Sequence, residues 1–223
     1  MKNIKQIFII TLTLLFSVQH IDAQNNIKTK NNTSKVKTKK SCHQPSCGLR
    51  SHLIDNFWVV EKNTFYRSGQ LSAKRLEYYT KKYKIKTVVN LRGTWPKANW
   101  WKQELAVTKQ NNVCFFSIPM TAKKLTSKKN IRTILNIFDT APRPILVHCQ
   151  GGADRTGEIS ALWVLDQQHK SNRTALKQLT IWNRYNKFQH PEKEFLIKIW
   201  KGREWFEQKY NPANFPKFKA QKE

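Results

Sequence analysis

Apolar residues in this chain fall into short strand-length runs, separated by longer stretches in which they recur at helical spacing. The runs cover residues 57–60, 64–67, 86–91, 113–118 and 145–147, and turn residues bound each of them. Glu61-Lys62-Asn63 reads as the turn between the first two. Ser72 stands as a cap before a helical stretch over 73–83, and further helical stretches cover 99–110, 127–138, 156–169, 173–185 and 191–210. Arg92-Gly93 ends the strand over 86–91, and Trp95-Pro96 breaks the chain before the next helix. Within 156–169, Ile159, Leu162, Trp163 and Leu165 share one face, which predicts packing on a sheet. The last helix opens with Pro191 in its first turn and Glu192 and Glu194 near its positive end. Residues 211–223 read as a loose tail. Strands alternating with helices predict parallel pairing through helical crossovers, an α/β sandwich. Such sheets place ligands at the carboxyl end of a central strand.

One stretch meets that description: Pro144-Ile-Leu-Val-His-Cys-Gln-Gly-Gly-Ala-Asp-Arg-Thr-Gly157. Ile145, Leu146 and Val147 suit a buried strand, and Gly151 and Gly152 let the following loop curl without side-chain clash. Successive backbone N–H groups then point inward at the positive end of a helix and form an anion-binding nest, to which Gln150, Gly151, Gly152, Ala153, Asp154 and Arg155 contribute. The same field favours a thiolate, so Cys149 is the candidate nucleophile. Arg155 closes the loop with a planar fork able to grip two phosphoryl oxygens and neutralise developing charge. Thr156 offers a hydroxyl to the thiolate. A glycine turn around an inert cysteine, or a sulfur-transfer loop of the rhodanese type, would use some of the same residues.

His148, Cys149, five residues, then Arg155 and Thr156 resembles the signature of the cysteine-dependent (CX5R) tyrosine and dual-specificity phosphatases. The stretches Phe65-Tyr66-Arg67-Ser68-Gly69-Gln70 and Val88-Val89-Asn90-Leu91-Arg92 are similar to those of compact atypical dual-specificity members, in a bacterial branch related to eukaryotic enzymes that cleave inositol pyrophosphates. The resemblance covers roughly residues 53–200. It implies a three-layer fold with a mostly parallel central sheet flanked by helices, and a phosphocysteine intermediate hydrolysed by water. It implies no metal and no cofactor. The inositol enzymes carry basic residues inside the loop, where this chain has Gln150, Ala153 and Asp154.

The resemblance also calls for a general acid. Between Met120 and Cys149 the one aspartate is Asp139, placed near a helix end. Asp154, inside the loop, resembles the in-loop aspartate of myotubularin-like and Sac-like phosphatases, which implies the acid role; orienting Arg155 or capping the helix is the plainer alternative. His148 reads as support for the loop. Arg67 and Arg92 either bind substrate phosphate or form ordinary surface ion pairs. Lys123, Lys124, Lys128 and Lys129 lie where a substrate-gating loop would fall.

Composition sharpens the question of partner and place. The 223 residues carry 41 Lys plus Arg against 14 Asp plus Glu, a formal charge of +27, and 32 of the bases follow residue 50. An anionic partner is expected, whether a phosphorylated protein, inositol phosphate, lipid head group or an anionic surface; no specific nucleic acid is expected. Lys2 and Lys5 precede an apolar run over 7–18, and Ala23 follows as a small residue, the pattern of a cleaved signal peptide over 1–23. Residues 24–51, rich in Lys, Asn, Thr and Ser, read as a disordered linker. Cys42 and Cys47 would close a short disulfide loop in an oxidising compartment, or hold part of a metal site. Cys114 reads as a small buried hydrophobe, or as a redox partner of Cys149. The expected organisation is a leader over 1–23, the linker, a catalytic domain over 52–210 and the tail. The function so read is exported phosphomonoester hydrolysis; a catalytically silent phosphate-, lipid- or nucleic-acid-binding module on the same fold is the alternative.

Overall fold

The computed structural model describes residues 49–222, so the leader, most of the linker and the Cys42–Cys47 pair lie outside the described residues. The chain opens with α1 (Leu49–Asp55), a few residues before the expected start of the domain at 52. A hairpin of β1 (Trp58–Glu61) and β2 (Phe65–Ser68) follows. Next come α2 (Ala73–Tyr83), β3 (Thr87–Asn90), α3 (Asn99–Gln110), β4 (Cys114–Ser117), α4 (Lys128–Thr140), β5 (Ile145–His148) and α5 (Asp154–Asp166). Strands run in the order β1-β2-β5-β3-β4, and all pairings are parallel except the β1–β2 hairpin.

The central strand explains the layering. Ile145 and Val147 join Phe65 and Val89 on one face of the sheet, under Ile131, Ile134 and Phe138 of α4 and Ile159, Leu162 and Trp163 of α5. Leu146 takes the opposite face with Tyr66 and Val88, under Leu76 and Tyr79 of α2 and Val107 of α3. Side chains alternate across a strand, so one apolar run of three residues feeds two cores and the sheet is buried on both sides. Trp163 is the largest fully buried side chain among the described residues; its ring stacks on Phe65 at 4.3 Å and its Nε1 donates to Glu61 Oε2 at 2.7 Å. Ser72 accepts from the amide of Arg75 and starts α2 where the capping pattern predicts, and Ser127, expected inside the next-but-one helix, caps α4 by accepting from the amide of Asn130.

Past α5 the structure departs from the periodicity. The helix expected over 173–185 is α6 (Asn172–Ala175) followed by 3-10 turns at Leu176–Gln178 and Ile181–Asn183. The carbonyl of Gln178 is taken by Arg67 Nη1 at 2.5 Å, and Ile181 and Trp182 are exposed. The helix expected over 191–210 is α7 (Glu192–Ile199) and α8 (Arg203–Lys209), divided at Gly202, whose φ of 103° no helix accommodates. Asn172 Nδ2 donates to the carbonyls of Ile197 and Trp200 and terminates α7. Residues 211–222 are no loose tail. Leu125 N donates to Lys219 O and Gln221 N to Leu125 O, while Phe195 packs on Phe215 and Phe218. Cys114 is exposed rather than buried, because it opens the edge strand β4. The register sets it level with Ile145, on the order of 15 Å from Cys149 and too far for a disulfide partner.

A buried ion pair ties α7 to α5. Lys193 Nζ donates to Glu158 Oε2 at 2.9 Å, to Thr126 Oγ1 at 3.1 Å and to Lys124 O at 2.8 Å, and Thr126 Oγ1 donates to the same carboxylate. Both charges are shielded from water, and burial pushes the Glu158 carboxyl up against the opposing pull of Lys193. Removing one partner leaves a bare charge inside. Lys193→Met is therefore expected to lose about 3–5 kcal/mol of stability in urea unfolding, and adding Glu158→Gln to recover part of it.

Candidate active site

The parallel register brings Ser68, Asn90 and His148 level at the carboxyl edge of the sheet, and the loop leaves β5 there. His148 is buried beneath it, with Nε2 2.6 Å from Glu104 Oε1 of α3 and Nδ1 3.3 Å from Cys149 O. Cys149 itself is 2% exposed, at the floor of the loop.

Three successive carbonyls of the loop are tied outward. Gln150 O accepts from Gln70 N at 3.0 Å, Gly151 O from Asn56 Nδ2 at 2.9 Å and Gly152 O from Arg67 Nη2 at 2.6 Å. Ala153 O accepts from Gly157 N and joins α5. A peptide plane that turns its carbonyl out turns its N–H in, so these contacts aim the loop amides at its centre. Gly152 sits at φ 71°, and a Cβ there would lie 2.5 Å from Gly69 N and 2.7 Å from Ser68 O. Only glycine fits between the loop and the end of β2.

Arg67 does neither of the things expected of it. It is fully buried and, among the described residues, pairs with no carboxylate; its guanidinium joins Gly152 O to Gln178 O and Oε1. Burial pushes its pKa down to about 10, with Cys149 opposing that shift, so the group stays cationic at neutral pH and adds positive field under the loop. Asn56, at φ 46°, splits its amide donor between Gly151 O and Asn183 O while Trp58 Nε1 holds its oxygen. Asn56 escaped the sequence reading of the site, and so did the role of Arg67 as a support of the loop. The one local signal was a charged residue inside β2, whose neighbours are all buried.

At the far end of the loop, Arg155 Nη1 donates to Leu91 O and Met120 O, each at 3.3 Å. Its Nε is buried with no protein partner among the described residues, which leaves the Nε edge of the fork open to an oxyanion. Thr156 Oγ1 is likewise buried and unpartnered. Gln150 and Gly151 are exposed at the mouth, and Ala153 is buried. Asp154 opens α5 partly exposed, with Oδ2 3.9 Å from His190 Nε2, and His190 Nδ1 lies 3.6 Å from Glu192. Arg92 stays near the cleft: its guanidinium stacks 3.6 Å over Trp100 and its Nη1 donates to Gln70 Oε1. Burial and then the Arg155 charge lower its pKa, against the opposing pull of Glu104 and Cys149, so two cations face the same cleft.

Two other candidates fall away. Asp139 is paired with Arg203, which holds its carboxyl below the usual range, at the C-terminal end of α4. The loop expected to gate the site is stapled by the C-terminal segment at Leu125, and Lys128 Nζ donates to Glu207 O. Among the described residues no group of three His, Cys, Asp or Glu is placed to hold a metal ion.

The profile of a family described as DSP-PTPase phosphatase fused to NAD+ kinase matches residues 51–196, which contain every loop residue above. No curated protein sequence matches the chain. Among solved structures, P. aeruginosa TpbA aligns at 21% identity over 66% of this chain and 86% of its own, with a TM-score of 0.53. The core catalytic domain of the PP-IP phosphatase SIW14 from S. cerevisiae aligns at 20% identity over 66% and 85%, with a TM-score of 0.51. A putative phosphatase from Shewanella putrefaciens CN-32 aligns at 16% over 66% and 93%, with a TM-score of 0.52. These three are likenesses of fold.

The cradle is testable without turnover. Gly152→Ala must push the loop off Ser68 and Gly69, and calorimetric titration with tungstate should show affinity down about tenfold or more, with a stability loss of about 1–3 kcal/mol.

Proposed function

We propose, because this chain belongs to the DSP-PTPase phosphatase family, that it is an exported phosphomonoester hydrolase working through a phosphocysteine on Cys149. That it is a phosphoric monoester hydrolase follows from the family; export, intermediate and residue roles are our reading. The observation that carries the intermediate and the residue roles is the loop whose carbonyls are bound outward over a buried cysteine, with the unpartnered Nε of Arg155 at its end.

In this reading the Cys149 thiolate attacks phosphorus, the bond to the leaving oxygen breaks, and Asp154 gives that oxygen its proton. Water then attacks the phosphocysteine, the S–P bond breaks, and the Asp154 carboxylate takes the proton from the water. Loop amides and Arg155 hold the equatorial oxygens, where charge builds in both steps. The buried Thr156 hydroxyl serves the thiolate as it leaves. His148 and Arg67 position the loop from below. The substrate is a phosphate on a protein side chain, an inositol ring or a lipid head group, and Arg92 beside Arg155 suits a ligand with more negative charge than one phosphoryl oxygen carries. The basic start and apolar run of the leader support export.

Phosphate release from an aryl phosphate, phosphopeptides, inositol phosphates and phosphoinositides, with reductant present, tests the scheme. Cys149→Ser should abolish release while phosphate ligands still bind, and Asp154→Asn should slow it by about 10²–10⁴-fold. Release that survives Cys149→Ser removes the phosphocysteine, and binding with no release from any substrate makes the chain a silent binder on this fold.

A further inference from the structure

The segment that replaces the expected helix over 173–185 is also the most exposed apolar part of the described surface. Ile181, Trp182 and Phe188 are 80, 81 and 86% exposed, above every other large hydrophobic side chain described. The segment is nonetheless held in place. Tyr185 is buried and its hydroxyl donates to His190 O at 2.6 Å, Tyr185 N donates to Thr180 O, and Thr180 Oγ1 donates to Asn183 Oδ1. Leu53 and Ile54 of α1, also exposed, adjoin it through Arg184, whose guanidinium donates to the carbonyls of His52 and Leu53. A hollow of about 480 Å³ runs beneath the tips, lined by Leu179, Arg184, Tyr185, Lys187 and Phe188 among others.

Charge marks the same place. From Gln167 to Pro191 the chain has no Asp or Glu, while Lys170, Arg173, Lys177, Arg184 and Lys187 fall in that window. Lys187 stands over the Phe188 ring at 5.2 Å and Arg184 donates to carbonyls, so among the described residues neither charge is paired with an acid. Separate apolar tips interleaved with uncompensated bases do not make the flat face of roughly 800 Å² that a stable protein partner needs. They match a bilayer interface, where Trp and Phe seat among head groups and each nearby Lys or Arg is drawn to anionic lipid. Among the described residues no helix is long and apolar enough to cross a membrane, so such contact is at the surface.

We propose that residues 181–188, with Leu53 and Ile54, form a docking surface for an anionic lipid bilayer. Ile181, Trp182 and Phe188 enter the interfacial layer, and Arg184 and Lys187 meet lipid phosphates. The surface sits beside the phosphate cradle, because Asn56 joins Asn183 O to Gly151 O and Arg67 joins Gln178 O to Gly152 O. Docking does not depend on turnover at Cys149; a catalytically silent chain would dock in the same way.

Hydrogen exchange by mass spectrometry on the full chain reads this segment separately from the leader. With phosphatidylcholine vesicles containing phosphatidylglycerol, amides over 176–188 should exchange several-fold more slowly than in buffer, and the slowing should fade at high salt. Trp182→Ser with Phe188→Ser, both on exposed side chains, should lose the slowing while aryl phosphate turnover stays unchanged. Lys187→Glu should weaken it with the apolar tips intact. The proposal is overturned if phosphatidylglycerol vesicles leave this segment unprotected, or if pure phosphatidylcholine protects it equally. Protection that appears without vesicles and grows with protein concentration would assign the surface to a second copy and overturn it as well.

Discussion

The site depends on one cation that never reaches solvent. Arg67 spans from the end of β2 to Gly152 O on one side and Gln178 on the other. Burying a guanidinium without a carboxylate is costly, and the cost is met by carbonyls that would otherwise be orphaned in the interior. The exchange fixes the direction in which the loop peptides point. An anion cradle built of amides works only if its carbonyls have somewhere else to go, and Arg67, Asn56 and Gln70 N supply those places. Gly152 is the geometric counterpart, since no side chain fits where the loop presses on Gly69 and Ser68. Cys149 and Arg155 are the groups proposed for the chemistry; these donors decide the shape in which they are offered.

Much of the fold was legible because most of it is governed by local rules. The helices over 73–83 and 99–110 have the bounds that periodicity and Ser72 predict, and every strand falls within a residue or two of its apolar run. The central loop was legible for the same reason: strand, glycines and helix start are contiguous, so Cys149, Arg155 and the amides between them come together without help from the rest of the chain. The catalytic signature is a local object.

What escaped was everything closed over long sequence distance. The partners of Arg67 lie 85 and 111 residues away, and those of Asn56 lie 95 and 127 residues away. Pattern alone shows an arginine in a strand and cannot say whether it faces substrate, solvent or a carbonyl. The same contact spoils the helix expected over 173–185, because a carbonyl claimed by Arg67 is lost to the helical ladder. Cys114 was misread because an edge strand and an inner strand share one apolar signature; only the sheet order separates them. The loop at Leu125 was expected to gate the cleft, and nothing local to it shows that residues 219–221 pair with it.

The sharing of Asn56 and Arg67 also sets where the catalytic domain can be cut. By strand count the domain is complete when α5 closes the sheet, and a fragment ending at Asp166 would hold the whole signature. Such a fragment would strand the Nη1 donors of Arg67 in the interior and remove the second acceptor of Asn56. A piece of this chain that keeps its phosphate loop in shape therefore runs past Asn183, seventeen residues beyond the end of α5, and on through α7, whose Lys193 neutralises the buried Glu158.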